Sequence, residues 1–498
     1  MELVFQAIAT IFQPLNFFLT LAGVLIGTLF GAIPGLTATL AIALLSPLTF
    51  NLDAISSMLL LLGIYAGGMY GGSITAITIR APGAPANAAV VDDGYALTMQ
   101  GKGGLAIGIS NVAGVVGGLM SCIAMIFLAP LLAKFALLFG PAEYFSVTIF
   151  GLTAVFSVSS KSFVKGLFSA LLGLLLATVG YDPILPFSRF SFGVSGLSRG
   201  LSFLPAVIGM FAFAEVFRLV LEYQGEEAKE IIHVDRIWPN LQEMKESFKF
   251  MVRGGFLGIM IGILPGAGGT IASYVAYGDV QRNTKHPELI GKGSLEAIAG
   301  PESANNAVSG GAMIPMLTLG IPGDSVTAVL LGAMMIQGIQ PGPLLFKQHL
   351  DVVYPIFAGM ILSNICLLFV GMLVVKPISR IATIKKPLLI SFLMIFGVIG
   401  SFASSGSLFD VLIAIGFGIL GYFMDRYGFP IAPTVLAMIL GPMVENSLRQ
   451  AMITSNGNPM IFITEPISAL FLAISAFTTI AMILREKKQS QGVSIQGE

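Results

Sequence analysis

Apolar runs long enough to cross a bilayer, roughly 17 to 25 residues each, follow one another along this chain and constrain its fold more than any other feature. Eleven can be placed, near 54–80, 104–130, 143–159, 163–180, 201–222, 305–340, 352–375, 387–403, 408–424, 430–452 and 466–484. A soluble fold could not cover so much apolar surface, because charged residues make up 10% of the 498, where soluble domains carry about 25%. The expectation is an all-α integral membrane protein with these eleven runs as transmembrane helices. The 26 Lys and Arg are balanced by 26 Asp and Glu. No nucleic-acid partner is therefore expected, since phosphate binding needs a clustered basic excess. Cys122 and Cys366 sit inside apolar runs and read as small packing residues.

Two further segments, 15–50 and 253–281, are interrupted by Pro-Gly. Proline removes a backbone donor and glycine frees the chain, so each is expected to form two half-helices around an unwound tip. Arg253 before the second tip, and Arg282, Lys285 and Lys292 after it, put both ends of that segment on the cytoplasmic side, where positive charge collects. It should be a re-entrant hairpin. Three further basic stretches then fall inside as well: Lys229, Arg236, Lys245 and Lys249; Lys376, Arg380, Lys385 and Lys386; and Arg485, Lys487 and Lys488 of the tail. Counting back through five crossings places the N-terminus outside and the C-terminus inside. Arg189, Arg199 and Arg449 fall on or near the outer side and run against the scheme.

The two interrupted segments resemble each other. A shift of 231 residues lays 27–41 over 258–272, pairing Gly27/Gly258, Gly31/Gly262, Pro34/Pro265, Gly35/Gly266, Thr39/Thr270 and Ala41/Ala272. A shift of 240 lays 71–88 over 311–328, pairing Gly71/Gly311, Ile74/Ile314, Thr78/Thr318, Pro82/Pro322, Gly83/Gly323 and Ala88/Ala328. With five crossings between the hairpins, the copies point in opposite directions, which is the inverted repeat of many secondary transporters. The expected division is a first membrane repeat over 1–222 with its hairpin at 15–50 and a cytoplasmic linker over 223–252. A second repeat over 253–484, with its hairpin at 253–281, and a tail over 485–498 complete it.

Unwound backbone at membrane depth is tolerable where it lines a wet cavity or is buried in protein. Half-helix N-termini suit carboxylates, and unwound carbonyls suit Na+. Two tips converging from opposite faces would bind an anion with a cation, so Pro34, Gly35, Thr37 and Thr39 are expected to face Pro265, Gly266, Gly268 and Thr270. Candidate Na+ positions lie near Gly35, Gly266, Asn306 and Asp324. The plainer alternative is that Pro-Gly kinks only shape packing, for which Gly27-x-x-x-Gly31 and Gly258-x-x-x-Gly262 are suited. Arg80, just before Pro82-Gly83, is either a bidentate partner for a substrate carboxylate or a snorkelling interfacial arginine. Asn305 and Asn306 are interhelical amides or ligands; Thr78 and Thr318 bind substrate or their own helix backbone. Ser325 is a ligand candidate, while Asp324 is an N-cap, an oxygen ligand or a proton carrier. Glu445 and Arg449, spaced i, i+4, read as a mutual ion pair.

The stretches GAIPGLT (31–37), PGAPANAAVVDDGYALTMQGKGG (82–104), RFSFG (189–193), GILPGAGGTIASYVAYG (262–278), PESANNAVSGGAMIPMLTLGIPGDSVTAVLLGAM (301–334), GIQPGPLLF (338–346) and LGPMVENSLRQ (440–450) carry a resemblance. In them the chain resembles the large membrane subunit of the tripartite tricarboxylate transporter family, from Gly27 to about Pro466. The resemblance implies a permease of the bacterial inner membrane, with a periplasmic N-terminus, a cytoplasmic C-terminus, a small membrane subunit and a periplasmic solute-binding protein. It implies import of tri- or dicarboxylates such as citrate by symport on an ion gradient, without a cofactor. Arg80 departs from the family pattern, which often has Asn there. No phosphate-binding G-x-x-x-x-G-K-[ST] loop occurs, in keeping with transport that does not use ATP. The residues leave open Na+ against H+ and whether the chain forms a homodimer. The rival classes are an anion channel, which needs a continuous polar pore, and a membrane-embedded enzyme, which needs paired catalytic groups in apolar runs; neither pattern is found.

Overall fold

The computed structural model describes residues 2–159, 162–182, 184–185, 187–221, 236–375, 377 and 386–494. Lys229, Lys376, Arg380 and Lys385 lie outside them, as do the side chains of Arg485, Lys487 and Lys488. The protein is all-α, with one two-residue β-pairing among the described residues, Gly180–Tyr181 against Ser188–Arg189. Among the described residues nine helices are long and apolar enough to span a membrane: Pro14–Ala32, Ala54–Ile79, Gly103–Ala136, Phe203–Leu221, Leu350–Leu373, Lys386–Ala403, Leu408–Arg426, Ile431–Thr454 and Pro466–Leu484. This is a multi-pass membrane protein.

Eight of these nine coincide with expected crossings, and the differences have local causes. The run 305–340 is two helices, Leu295–Leu319 and Ser325–Ile336, because Gly320 turns left-handed (φ 70°) and Pro322-Gly323 follows. Hydropathy misses this break, since the residues around it remain apolar. Phe163–Ala177 is 15 residues long, and Pro141–Ser159 carries buried Glu143, Ser146, Thr148 and Thr153. The first interrupted segment is lopsided. Pro14–Ala32, 19 residues, is long enough to cross alone at about 1.5 Å per residue, and Ala38–Leu45 is the short arm. The boundary drawn at 252/253 falls inside one helix, Leu241–Gly262, which begins at a capping box in which Asn240 and Glu243 bond each other's backbone N–H groups.

Contacts recur at the two sequence shifts. Gly27 packs on the carbonyl of Ile64 and Gly258 on that of Ala304; Gly31 packs on Gly68 and Gly71, and Gly262 on Val308 and Gly311. Gly83 approaches the carbonyl of Gly31 as Gly323 approaches that of Gly262. Bare glycines let these backbones meet without a Cβ between them. Elements also cross between the two halves: Ala38–Leu45 lies against Ser325–Ile336, and the 3-10 turn Pro85–Val90 against Gly268–Asn283.

Two of the three arginines that strained the charge scheme, Arg189 and Arg449, are paired. Arg189 Nη1 reaches Glu445 at 2.6 Å, Arg449 bonds Asp182 through both Nη atoms at 2.9 Å, and Arg449 Nη2 lies 2.9 Å from Glu445. The Glu445–Arg449 pair thus belongs to a four-residue cluster that fastens the 180–189 loop to Ile431–Thr454. Hydrogen bonds from the Arg449 guanidinium and from the Leu185 and Ile184 amides hold the Asp182 carboxyl well below the usual carboxylate range. A carboxyl depressed on folding stabilises above its unfolded value, about 3.9, and loses that contribution as pH falls through its folded value. Asp182→Asn is therefore expected to lower the melting temperature of detergent-solubilised protein at pH 7 and to lower it less at pH 3. An equal drop at both pH values would contradict the pairing.

Candidate functional site

A cavity of about 590 Å³ lies where the two interrupted segments meet. Its wall includes Thr37, Ala38 and Thr39 from the first tip and Gly266 through Ile271 from the second. It also includes Ala84–Asn87 and Asp324–Val326, which follow the two later Pro-Gly pairs. Four helical N-termini therefore open on it, those of Ala38–Leu45, Pro85–Val90, Gly268–Asn283 and Ser325–Ile336. The first residues of each line the same space, which brings the positive ends of their dipoles to it. No Lys or Arg lines it among the described residues, and its one ionisable wall residue is Asp324.

The caps differ. Thr37 Oγ1 accepts from Leu40 N at 3.3 Å, and Asp324 Oδ1 accepts from Thr327 N at 2.7 Å. Gly268–Asn283 has no side-chain cap, so its first N–H groups keep no intrahelical or cap partner. Asp324 Oδ2 accepts the hydroxyl of Tyr65 at 2.8 Å, a contact between the two halves. Thr39 and Ser325 hydroxyls lie 3.0 Å apart and also join the halves. Gly266 N donates to Gly323 O at 2.7 Å, tying the second tip to the later Pro-Gly pair.

Of the expected site residues, Thr37, Thr39, Gly266, Gly268, Thr270, Asn305 and Ser325 share this cavity. Gly35 lines an adjoining cavity of about 440 Å³ beside Glu215 and Arg218, and Pro34 and Pro265 shape the tips without lining the 590 Å³ space. Thr78 and Thr318 are buried elsewhere and donate to Ile74 O and Ile314 O, each at 2.7 Å, so they satisfy their own helices. Asn306 turns away from its neighbour Asn305, packs on Gly114 and donates to Glu302 O at 3.2 Å. Gly35, Gly266, Asn306 and Asp324 thus do not converge on one point as a ligand set.

Arg80 is outside the cavity too. It is the left-handed C-cap of Ala54–Ile79 (φ 56°), the place Gly320 takes in the other half, and it pairs with exposed Asp92 at 3.0 Å. Arg80→Gly is expected to leave uptake within about twofold of the parent, since glycine takes this conformation freely; a loss of tenfold or more would give the guanidinium a direct role.

Asn87 and Met69, which line the cavity, and Tyr65, which bonds Asp324 in its wall, are residues the sequence motifs do not single out. Asn87 could have been found through the 240-residue shift, which aligns it with Thr327: Asn87 Oδ1 accepts from Ala84 N as Thr327 Oγ1 accepts from Asp324 N. Asn87 and Asn305 both donate to Met69 O, at 3.2 and 3.0 Å, and Asn305 Oδ1 is buried without a hydrogen-bond partner.

Known proteins resemble this chain, one of them over most of its length. A relative from Agrobacterium vitis, the uncharacterized 52.8 kDa protein in the TAR-I ttuC' 3' region, is 37% identical over 475 residues, which are 95% of this chain and 94% of the relative. Another from the same organism, the uncharacterized protein in the TAR-II ttuC' 3' region, is 38% identical over 227 residues, 46% of this chain and 94% of its own. No solved structure matches. Residues 17–436, which contain both tips, both later Pro-Gly pairs and the whole wall of the cavity between them, match one family, and on that match the chain belongs to the tripartite tricarboxylate transporter TctA family.

Proposed function

We propose that this chain is the permease subunit of a binding-protein-dependent secondary transporter that imports tri- or dicarboxylates on an ion gradient. The observation that carries this reading is the convergence of four helical N-termini on one cavity that has no basic side chain among the described residues. Backbone N–H groups and dipoles attract a carboxylate there, while the absence of a salt-bridge partner keeps binding weak enough for release. Its volume falls in the range of small-molecule sites, about 300 to 1,000 Å³. Hydroxyls of Thr37, Thr39, Thr270 and Ser325 supply further donors.

Because the wall is drawn from both halves, a shift of one half against the other opens the cavity to one side at a time. The two halves act as an inverted repeat in this reading, and the bundle carrying the tips moves against the remaining helices. A small membrane subunit and a periplasmic binding protein deliver the substrate, and the bacterial inner membrane is the setting. The test is uptake into proteoliposomes that hold this chain and its small partner, with binding protein and citrate outside and Na+ and pH gradients imposed separately. Accumulation above the outside concentration is expected. Equilibration without accumulation would make it a channel, and chemical conversion of the solute an enzyme.

A further inference from the structure

Leu295–Leu319 carries a carboxyl group that this reading has not used. Glu302 is 1% exposed and makes no ion pair among the described residues. Its Oε1 accepts from Ser73 Oγ at 2.6 Å and its Oε2 from Ser110 Oγ at 3.0 Å, so the group sits where Ala54–Ile79, Gly103–Ala136 and Leu295–Leu319 meet. The titratable side chain beside it is Tyr70 of Ala54–Ile79, whose hydroxyl donates to Gly371 O. On the other packed helices, Arg253 pairs with Asp279, Tyr277 bonds Asp93, and Lys249 lies over Phe250. A hydroxyl can donate to a carboxylate and accept from a carboxylic acid. Both protonation states of Glu302 therefore find partners in place.

Ser73 connects this group to the cavity. Its Oγ accepts from Asn87 Nδ2 at 2.7 Å; Asn87 also donates to Met69 O, and Met69 O is the acceptor of Asn305. Asn87, Met69 and Asn305 all belong to the cavity wall.

We propose that Glu302 is the proton-binding site of the symport and that Ser73, Asn87 and Asn305 carry its protonation state to the substrate cavity. The proposal rests on the permease reading and narrows its coupling ion to H+. While Glu302 is anionic, Ser73 donates to it, and Met69 O holds both amides. A proton from water on the entry side forms an O–H bond at a Glu302 carboxylate oxygen, and the acid then donates to a serine. The Ser73 hydroxyl, released, turns to the carbonyl one turn back along its helix, as helical serines do. That carbonyl is Met69 O. Asn305 is displaced from it, and its N–H groups meet the carboxylate substrate. On the cytoplasmic side the Glu302 O–H bond breaks, the proton passes to water and the first pattern returns.

The experiment uses the reconstituted transporter with its small subunit and binding protein, citrate as the probe, and a trapped pH dye. Wild type is expected to take up protons with citrate. Glu302→Gln keeps hydrogen bonding but cannot titrate; it is expected to lose pH-gradient-driven accumulation at least tenfold and to still exchange internal for external citrate. Accumulation by Glu302→Gln equal to wild type overturns the proposal, as does wild-type uptake driven by Na+ and indifferent to a pH gradient, and in both cases the permease reading stands. Absence of any gradient-driven uptake or exchange by wild type would instead bring down the permease reading itself. Should Glu302→Gln fail to fold, Ser110→Ala serves: losing a donor to the anion is expected to move the pH of half-maximal uptake upward by about half a unit or more, and an unmoved midpoint overturns the proposal.

Discussion

Gly266→Leu is expected to reduce citrate uptake in proteoliposomes about a hundredfold or more while the protein still inserts and elutes as a single species in detergent. Gly266 has φ +79°, a conformation that costs a residue with a Cβ roughly 1 to 2 kcal/mol. The added Cβ also overlaps Val155 Cα, which is backbone and cannot rotate away. The tip must move, and with it the 2.7 Å bond from Gly266 N to Gly323 O that ties the second tip to the later Pro-Gly pair. A displacement of about 1 Å in a positioned site costs on the order of a hundredfold. Gly35→Leu meets the same backbone cost at φ +90°, but its Cβ faces the side-chain ends of Glu215 and Arg218, so a smaller loss is expected there. Normal uptake by both variants would remove the tips from the transport site.

The second large effect concerns Asp324. Its Oδ1 caps Ser325–Ile336 and its Oδ2 holds the Tyr65 hydroxyl across the two halves. Asp324→Ala loses an N-cap, about 0.5 to 2 kcal/mol, and leaves a buried hydroxyl unpaired, about 1 to 3 kcal/mol. A lower melting temperature and an uptake loss of tenfold or more are expected. Asp324→Asn keeps the cap and a polar partner for Tyr65, so it should recover most of the melting temperature. If Asp324→Asn is as unstable as Asp324→Ala, the charge and not the cap is what the fold uses.

Much of the cavity wall could be read from residue types. Thr37, Thr39, Gly266, Gly268, Thr270 and Ser325 were expected because they follow Pro-Gly breaks, and a break is a local property of the chain. Facing directions were less legible. Asn305 and Asn306 are adjacent, yet a helix turns about 100° per residue, so one enters the cavity wall and the other packs on Gly114. Thr78 and Thr318 could bind substrate or their own helix backbone by sequence alone, and their hydroxyls bond their own helices. Glu302 gave no signal at all, because a glutamate in a small polar stretch resembles a solvated one until three helices close over it.

The amino-acid order by itself determined that the chain lives in a membrane, that it breaks at duplicated Pro-Gly pairs, and which family it belongs to. Those follow from apolar run length, from the geometry of proline and glycine, and from motif identity, all of which are local. Only the tertiary structure decided that four helix starts share one cavity, that Arg80 stands apart from it, and that Glu302 is sealed between two serines. Such facts depend on which helix faces pack together, and packing joins residues as far apart as Tyr65 and Asp324, whose meeting no short window of sequence records.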